Sequence, residues 1–276
     1  MKKQKSGIGM KIIIIILFCS GLGLILYPTV SDIHNRYVNT KYQRAYQSTV
    51  KQNTSAENLA IWKAARRYNR LHQVNTVADM YSGSSGNQTP EYRSYLSTLN
   101  PQGNGMMGYL EIPKINAEIS IFHGTGTKVL EKGIGHVEGT SLPVGGTSTH
   151  SVMAAHRGLP GARLFTDLDK LKKGDRFYIH VLNKTLAYEV DRVKVVLPEQ
   201  MMKYCQIDEG KDEVTLVTCT PYGVNTHRML VRGHRVPLDQ HAAVNPFMRY
   251  VKLGLFLAAV LALLVGWYVW KKKRKQ

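Results

Sequence analysis

Thr215-Leu216-Val217-Thr218-Cys219-Thr220-Pro221-Tyr222 is the stretch that decides the fold of this 276-residue chain. Its β-branched and apolar residues predict a strand, and Pro221 ends the strand pairing just after the thiol of Cys219. A thiol at a strand end can act as a nucleophile when a basic or cationic group lies nearby, because only the thiolate attacks efficiently. The stretch therefore predicts a β-rich fold that presents one candidate nucleophile.

Arg228 follows Cys219 by nine positions. Residues 221–226 predict a turn, so a strand that starts near His227 would run antiparallel to the first and bring Arg228 beside the thiol. A guanidinium there would hold a substrate carbonyl and the oxyanion that forms on attack. The alternative is a surface ion pair, the commoner fate of an arginine, which is worth about 0–1 kcal/mol.

A base for Cys219 has to come from the nine histidines between residues 34 and 234. His156 ends the apolar run 151–155 and opens a Gly- and Pro-containing loop, a place where scaffolds expose working side chains. On the residues alone, His156 is only modestly ahead of His227. His136 and His150 flank a Gly-rich loop and fit structural, hydrogen-bonded histidines better.

Short β-rich segments recur from about residue 105 onward, punctuated by Gly and Pro. They cover residues 108–113, 117–122, 177–181, 185–190, 193–197, 214–218 and 229–235. Many short strands with few long helices indicate a closed or nearly closed barrel. The segment before them is polar and helical, with a capping box predicted at Thr54 and Glu57. It is typical of a helical stalk or a packing arm.

Two apolar runs, residues 12–31 and 250–270, flank everything else, and each has about the 20 residues that span a bilayer. Basic residues precede the first run and follow the second, which predicts cytoplasmic termini and an extracellular middle segment. The first run also fits a cleaved signal peptide, and the second a buried core helix.

The net charge of +18 is concentrated at the two ends of the chain, since residues 29–248 carry 26 basic and 19 acidic residues. Without a basic stripe interleaved with aromatic residues, this distribution argues against nucleic-acid binding.

The cysteines are Cys19, Cys205 and Cys219. A bridge between Cys205 and Cys219 is conceivable, but a domain of this size does not need it. Metal-ligand motifs are missing from the sequence, so we expect neither a metal nor a cofactor.

The candidate site residues carry a resemblance to a known family. Thr215-Leu216-Val217-Thr218-Cys219 with Arg228 resembles the TLxTC and Arg signature of sortases, and residues 154–158 resemble the segment that holds their His. Residues 108–113, 132–146, 164–168 and 218–228 together resemble the class C, pilin-polymerising sortases. The resemblance is dense over about residues 105–238.

The resemblance implies a mainly β fold, a closed sortase-type β-barrel of about eight strands with N-terminal helices and two flanking transmembrane helices. It divides the chain in a simple order. The divisions are a cytoplasmic N-terminus (1–11), a transmembrane helix (12–31), an extracellular helical arm with room for a short lid (32–104), the catalytic barrel (105–240), a second transmembrane helix (250–270) and a cytoplasmic basic tail (271–276).

The implied activity is that of a membrane-anchored cysteine transpeptidase on a Gram-positive-type cell surface. Cys219 would attack the Thr–Gly bond of an LPxTG-like sorting signal, His156 would act as general acid and base, and Arg228 would stabilise the oxyanion. A pilin Lys amine would then resolve the thioacyl-enzyme. The implied partners are pilin subunits, the lipid bilayer and a cell-wall precursor, but no nucleic acid.

Two other functions remain open from the sequence. One is the anchoring of surface proteins to peptidoglycan, and the other is a catalytically silent, membrane-tethered assembly module. The chain also departs from many class C sortases, because residues 32–99 lack the Asp-Pro-aromatic lid anchor. Thr89-Pro90-Glu91-Tyr92 is the nearest match. This absence predicts an open site, with residues 80–95 unprotected by the barrel.

Overall fold

The computed structural model describes residues 6–72, 89–159 and 161–238. Eight strands close into a barrel in the order β1-β2-β3-β4-β7-β8-β6-β5. Their bounds are β1 Met106–Ile112, β2 Ala117–His123, β3 Ile134–His136, β4 Thr149–Ala154, β5 Arg176–Val181, β6 Lys184–Val196, β7 Asp212–Thr220 and β8 His227–Val236. The predicted closed barrel is therefore confirmed.

Most strand pairs in the barrel are antiparallel, but two neighbouring pairs are parallel, β2 with β3 and β4 with β7. The parallel pairs require long connections, and the one between β4 and β7 carries β5 and β6. It starts with the loop after β4, which contains His156.

Four α-helices precede or interrupt the strands in the described part of the chain. They are α1 Ser6–Gln52, α2 Ser55–Leu71, α3 Pro90–Ser97 and α4 Thr127–Leu130. The predicted capping box is confirmed, because the Thr54 side chain accepts from the Glu57 amide and the Glu57 carboxylate accepts from the Thr54 amide. The segment before the barrel is a packing arm, since Tyr46, Ala65 and Tyr95 are buried in the main hydrophobic cluster.

The N-terminal part of α1 is exposed and apolar. Within the described chain, α1 from Ile16 onward is the one helix long and apolar enough to cross a membrane. The second expected span, residues 250–270, lies outside the described residues, so the two-span arrangement stays a prediction.

Two hydrophobic clusters share the strands of the barrel. The larger includes Leu216, Val231 and Met153 together with Tyr46 and other side chains from the helices. The smaller contains the alternating strand residues Val217, Leu230 and Ala154, packed with Met201 and Leu130 from the connecting segments. Because successive side chains of a strand point to opposite faces, the smaller cluster lies on the outer face of β4, β7 and β8.

Helix α3 is fixed to the barrel by Tyr95, whose hydroxyl lies 2.9 Å from Nδ1 of His136 and accepts from the Gly124 amide. The sequence led us to expect residues 80–95 to be unprotected; residues 89–91, 93 and 94 are exposed, whereas Tyr95 is buried. His136 is buried and its Nδ1 needs a partner, which Tyr95 supplies. The remaining expected lid residues, up to residue 88, lie outside the described ranges.

Burial gives the fold an acid-sensitive point at His136. Burial lowers the pKa of His136 from 6.5 to about 3, although its hydrogen bond to the Ser141 carbonyl acts in the opposite direction. The unfolded chain therefore binds a proton that the folded chain does not between about pH 6.5 and about pH 3. His136 stabilises the fold above this range, and the contribution is lost as the pH falls.

His136→Asn should therefore make the free energy of unfolding less dependent on pH. We expect the variant to be less stable at neutral pH but to have a slope smaller by up to about 1.4 kcal/mol per pH unit between these pKa values. Denaturant unfolding over a pH series measures the slope. An unchanged slope would show that His136 does not titrate differently in the two states.

Candidate active site

Cys219 and Arg228 lie directly opposite each other on the antiparallel pair β7 and β8. This pairing confirms the predicted hairpin, in which the turn at residues 221–226 reverses the chain. Directly opposite residues of an antiparallel pair project from the same face of the sheet. The side chains of Cys219 and Arg228 are buried, at 8% and 6% exposure.

His156 reaches the level of Cys219 through the parallel pairing of β4 with β7. This pairing runs from Thr149 opposite Asp212 to Ala154 opposite Val217 at a constant offset. It continues past the end of β4, because the Ala155 amide donates to the Val217 carbonyl at 3.2 Å. The same offset, extended two positions beyond the last pair of the two strands, puts His156 level with Cys219.

The register also separates His156 from the rival candidate His227. His227 lies opposite Thr220, one residue beyond Cys219. Since side chains alternate along a strand, His227 belongs to the opposite face from Cys219. Its Nδ1 lies 2.9 Å from the Thr226 hydroxyl. The residues alone put His156 only modestly ahead and the resemblance singled it out, and the register also favours His156.

The outer hydrophobic cluster forms the floor of the candidate site. Ala154 lies two residues before His156, Val217 two before Cys219, and Leu230 two after Arg228. All three apolar residues belong to that cluster. Residues spaced by two along a strand share a face, so the polar side chains continue the row that these apolar residues begin. An apolar floor limits the access of water to the thiol.

Two hydrogen bonds join the neighbours of His156 to β7, one on each side. The buried Thr218 hydroxyl donates to the Ala155 carbonyl at 2.8 Å. Nη1 of Arg157 donates to the Thr220 hydroxyl at 3.1 Å, and its Nη2 donates to Asp169 at 2.6 Å. Arg157 thereby ties the loop after β4 to the residue next to Cys219. The sequence analysis missed this contact, because nothing in the local pattern separates Arg157 from other loop arginines.

The loops that follow β4 and β7 touch at Gly158 and Tyr222. Gly158 has a φ of +79°, and a Cβ built there would lie 3.0 Å from the Tyr222 ring. Both the backbone conformation and this close approach require glycine. The contact brings the exposed Tyr222 ring next to the loop of His156.

The electrostatics of the site favour a neutral imidazole. Partial burial lowers the pKa of His156 below 6.5, while the Glu131 carboxylate acts in the opposite direction. A neutral imidazole can accept a proton from a thiol or an amine. Nη1 of Arg228 donates to the carbonyls of Asn225 and His227, which holds the guanidinium at the end of the hairpin.

The other thiol and the other histidines have structural surroundings. Cys205 and Cys219 are thiols rather than the halves of a disulfide, and burial raises the pKa of Cys205 to about 12. His136 and His150 are buried with both ring nitrogens close to hydrogen-bonding oxygens, as predicted. Over residues 6–72, 89–159 and 161–238, the structure contains no group of three His, Cys, Asp or Glu that could hold a metal ion.

Comparisons with known proteins point to one family. The family model described as the sortase domain matches residues 110–236. The crystal structure of sortase C1 from Streptococcus agalactiae is 47% identical, with a TM-score of 0.66, over 72% of this chain and 100% of that one. Sortase C of Streptococcus pneumoniae is 40% identical, with a TM-score of 0.64, over 73% of this chain and 100% of that one. Sortase D of Bacillus subtilis is 31% identical over 171 residues, which are 60% of this chain and 82% of that protein.

Proposed function

This chain belongs to the sortase family of cysteine transpeptidases, with class C sortases as structural neighbours, and on this premise we propose that it joins pilin subunits by using Cys219, His156 and Arg228. The pairing of Cys219 with Arg228 is the observation that carries the proposal, and the register of β4 on β7, extended to His156, supports it. On this reading, a thiol, a base and a fixed cation meet at one strand end.

In the first half of the proposed reaction, the Cys219 thiolate attacks the carbonyl carbon of the Thr–Gly bond in an LPxTG-like sorting signal. Arg228 stabilises the oxyanion of the tetrahedral intermediate. His156 donates a proton to the nitrogen of the leaving glycine as the C–N bond breaks. The product is a thioester between the sulfur and the threonine carbonyl. The proton that His156 donates is the one that its neutral imidazole first takes from the Cys219 thiol.

In the second half, the side-chain amine of a pilin lysine attacks the thioester. His156 takes the proton of the amine, the new C–N bond forms, and the thiolate leaves. An isopeptide bond then joins two subunits.

Two observations support pilin as the substrate. The solved class C structures are 40–47% identical to this chain. The match extends over 99–100% of each solved chain. The structure of Streptococcus pneumoniae sortase C concerns catalysis and pilin substrate specificity. The anchoring of surface proteins to peptidoglycan uses the same chemistry with a different amine, so only the acceptor distinguishes the two functions.

Incubating the full-length protein in lipid vesicles with a candidate pilin tests the proposal. We expect high-mass ladders that resist boiling in denaturant, each step equal to one pilin. A pilin whose sorting signal is scrambled is the matched control and should remain monomeric. Cleavage of the signal without ladders, together with transfer to a cell-wall amine, would instead identify a peptidoglycan-anchoring enzyme.

We propose that α1 anchors the enzyme in the membrane with the barrel outside the cell. The exposed apolar surface of α1 and the lysines before it support this orientation. The span at residues 250–270 and the cytoplasmic location of both termini belong to the same proposal. They are tested by labelling cysteines introduced at the two ends of the chain in intact cells with an impermeant reagent.

Arg157 gives a prediction about positioning. Arg157→Met should lower the rate of signal cleavage by between about 10-fold and about 10²-fold, because the loop carrying His156 loses its bond to Thr220. Arg163→Met is the matched control, since Arg163 belongs to the same loop but pairs with Asp167 within it. Cleavage kinetics and thermal unfolding should be measured together. A loss of rate that only accompanies unfolding would contradict the positioning role.

A further inference from the structure

Helix α1 approaches the barrel from the end that carries the candidate active site. Strand β2 runs parallel to β3 and opposite to β4, so β2 begins at the end where β4 finishes. Arg36 donates to the carbonyl of Asn116, just before β2. Further along α1, Tyr46 donates to the carbonyl of Met107 at the start of β1, which pairs with the end of β2. The N-terminal half of α1 therefore extends beyond the catalytic end.

The apolar run of α1 finishes at the level of the loop that begins with His156. Ser31 is the last residue of the uncharged run, and its hydroxyl donates to the Gly161 carbonyl at 3.1 Å. The amide of Asn35, one helical turn later, donates to the same carbonyl. Since a helical turn rises about 5.4 Å, this loop lies within about one turn of the membrane boundary. The α-helix continues through these residues, so the junction contains no linker.

Exposed apolar side chains also occur at this end of the barrel, beyond the active site as seen from α1. Val196 pairs with Arg228, so β6 also ends at the catalytic end. Four large apolar side chains lie there, and we call them the apolar rim. They are Val195 (50% exposed), Leu197 (38%), Tyr222 (60%) and Val224 (63%).

The sequence around the apolar rim is basic. Residues 192–204 contain the exposed Arg192, Lys194 and Lys203 but a single acid, Glu199. Basic residues interleaved with apolar and aromatic side chains are typical of segments that lie on anionic lipid headgroups. Tyrosine in particular is enriched at the membrane–water boundary.

We infer that the apolar rim rests on the surface of an anionic bilayer. The catalytic end of the barrel is then held on the membrane at two places, by α1 on one side of the active site and by the rim on the other. The inference depends on the anchoring role proposed for α1, which fixes the level of the lipid surface. It gives the exposed apolar residues a partner, and it brings Cys219 to act on peptides that pass close to the headgroups.

Fluorescence quenching by lipids tests this arrangement in the full-length chain. A background carrying Cys19→Ser and Cys219→Ala removes the reactive thiols and leaves the buried Cys205. Single cysteines introduced as Val195→Cys or Val224→Cys are labelled with a small fluorophore. The protein is then reconstituted in phosphatidylcholine–phosphatidylglycerol vesicles that contain spin labels both on the headgroups and along the acyl chains. Leu22→Cys reports on insertion of α1, and Glu209→Cys, next to the start of β7, reports on the opposite end of the barrel.

We expect labels at positions 195 and 224 to be quenched nearly as strongly as the label at position 22, with position 209 unaffected. Quenching at position 22 without quenching at the rim would overturn the inference and leave membrane anchoring intact. Equal quenching at position 209 and at the rim would also overturn it, because the barrel would then lie on its side. A lack of quenching at position 22 would overturn the anchoring proposal itself. Since the background lacks Cys219, none of these results depends on catalysis.

Discussion

Cys219→Ala should abolish both signal cleavage and pilin polymerisation. Without the sulfur no thioester forms, and neither His156 nor Arg228 can replace a covalent nucleophile. We expect the rate to fall by at least about 10⁴-fold, as it does when the nucleophile of other covalent enzymes is removed. Cleavage of a fluorogenic LPxTG-like peptide gives the rate, and denaturing gels give the polymer.

Cys205→Ala is the matched control, because it removes the other thiol of the barrel segment. Cys205 is fully buried in the outer hydrophobic cluster, and its pKa of about 12 keeps it protonated at neutral pH. This variant should retain its cleavage rate and lose only stability. Full activity of Cys219→Ala would instead favour the silent assembly module that the sequence left open.

Arg228→Ala should lower the rate of cleavage by about 10²-fold to 10³-fold, the usual effect of losing one oxyanion donor. Arg228→Lys should recover only part of this loss, because an ammonium cannot form the planar fork of a guanidinium. Arg192→Ala removes an exposed cation from β6 and should leave the rate unchanged.

The Arg228→Ala and Arg228→Lys variants need a second measurement that separates a role in catalysis from a role in holding the hairpin. Alkylation of Cys219 by iodoacetamide and thermal unfolding should both stay close to the parent values in Arg228→Lys. A fall in peptide cleavage with continued alkylation would locate the defect in the chemical step. Parallel losses of alkylation, stability and cleavage would mean that Arg228 only supports the hairpin.

The strands were predictable wherever apolar residues alternate without a charged interruption. The sequence divided β6 in two at Asp191 and Arg192, whereas the structure has one strand of 13 residues with an irregular register at this point. Asp191 is tolerated there because Arg232 of the neighbouring strand β8 binds it bidentately. The three-residue strand β3 was missed, since so short a segment is defined only by its pairing partners.

The pairing of Cys219 with Arg228 was predictable because a hairpin depends on local sequence. Local sequence put His156 only modestly ahead of His227, because their positions relative to Cys219 depend in part on a parallel pairing between β4 and β7 across 63 residues. The contacts of Arg157 with Thr220 and of Ser31 with Gly161 were missed for the same reason. Long-range contacts of single polar side chains leave no periodic signal in the sequence.

Peptide-level mass spectrometry of a single turnover tests the central claim most directly. The full-length enzyme is mixed with an LPxTG-like peptide in the absence of an amine acceptor, quenched in acid and digested. We predict a thioester on Cys219 that carries the peptide up to its threonine and disappears when a lysine amine is added. An adduct on another residue, or cleavage of the peptide without any adduct on Cys219, would contradict the account.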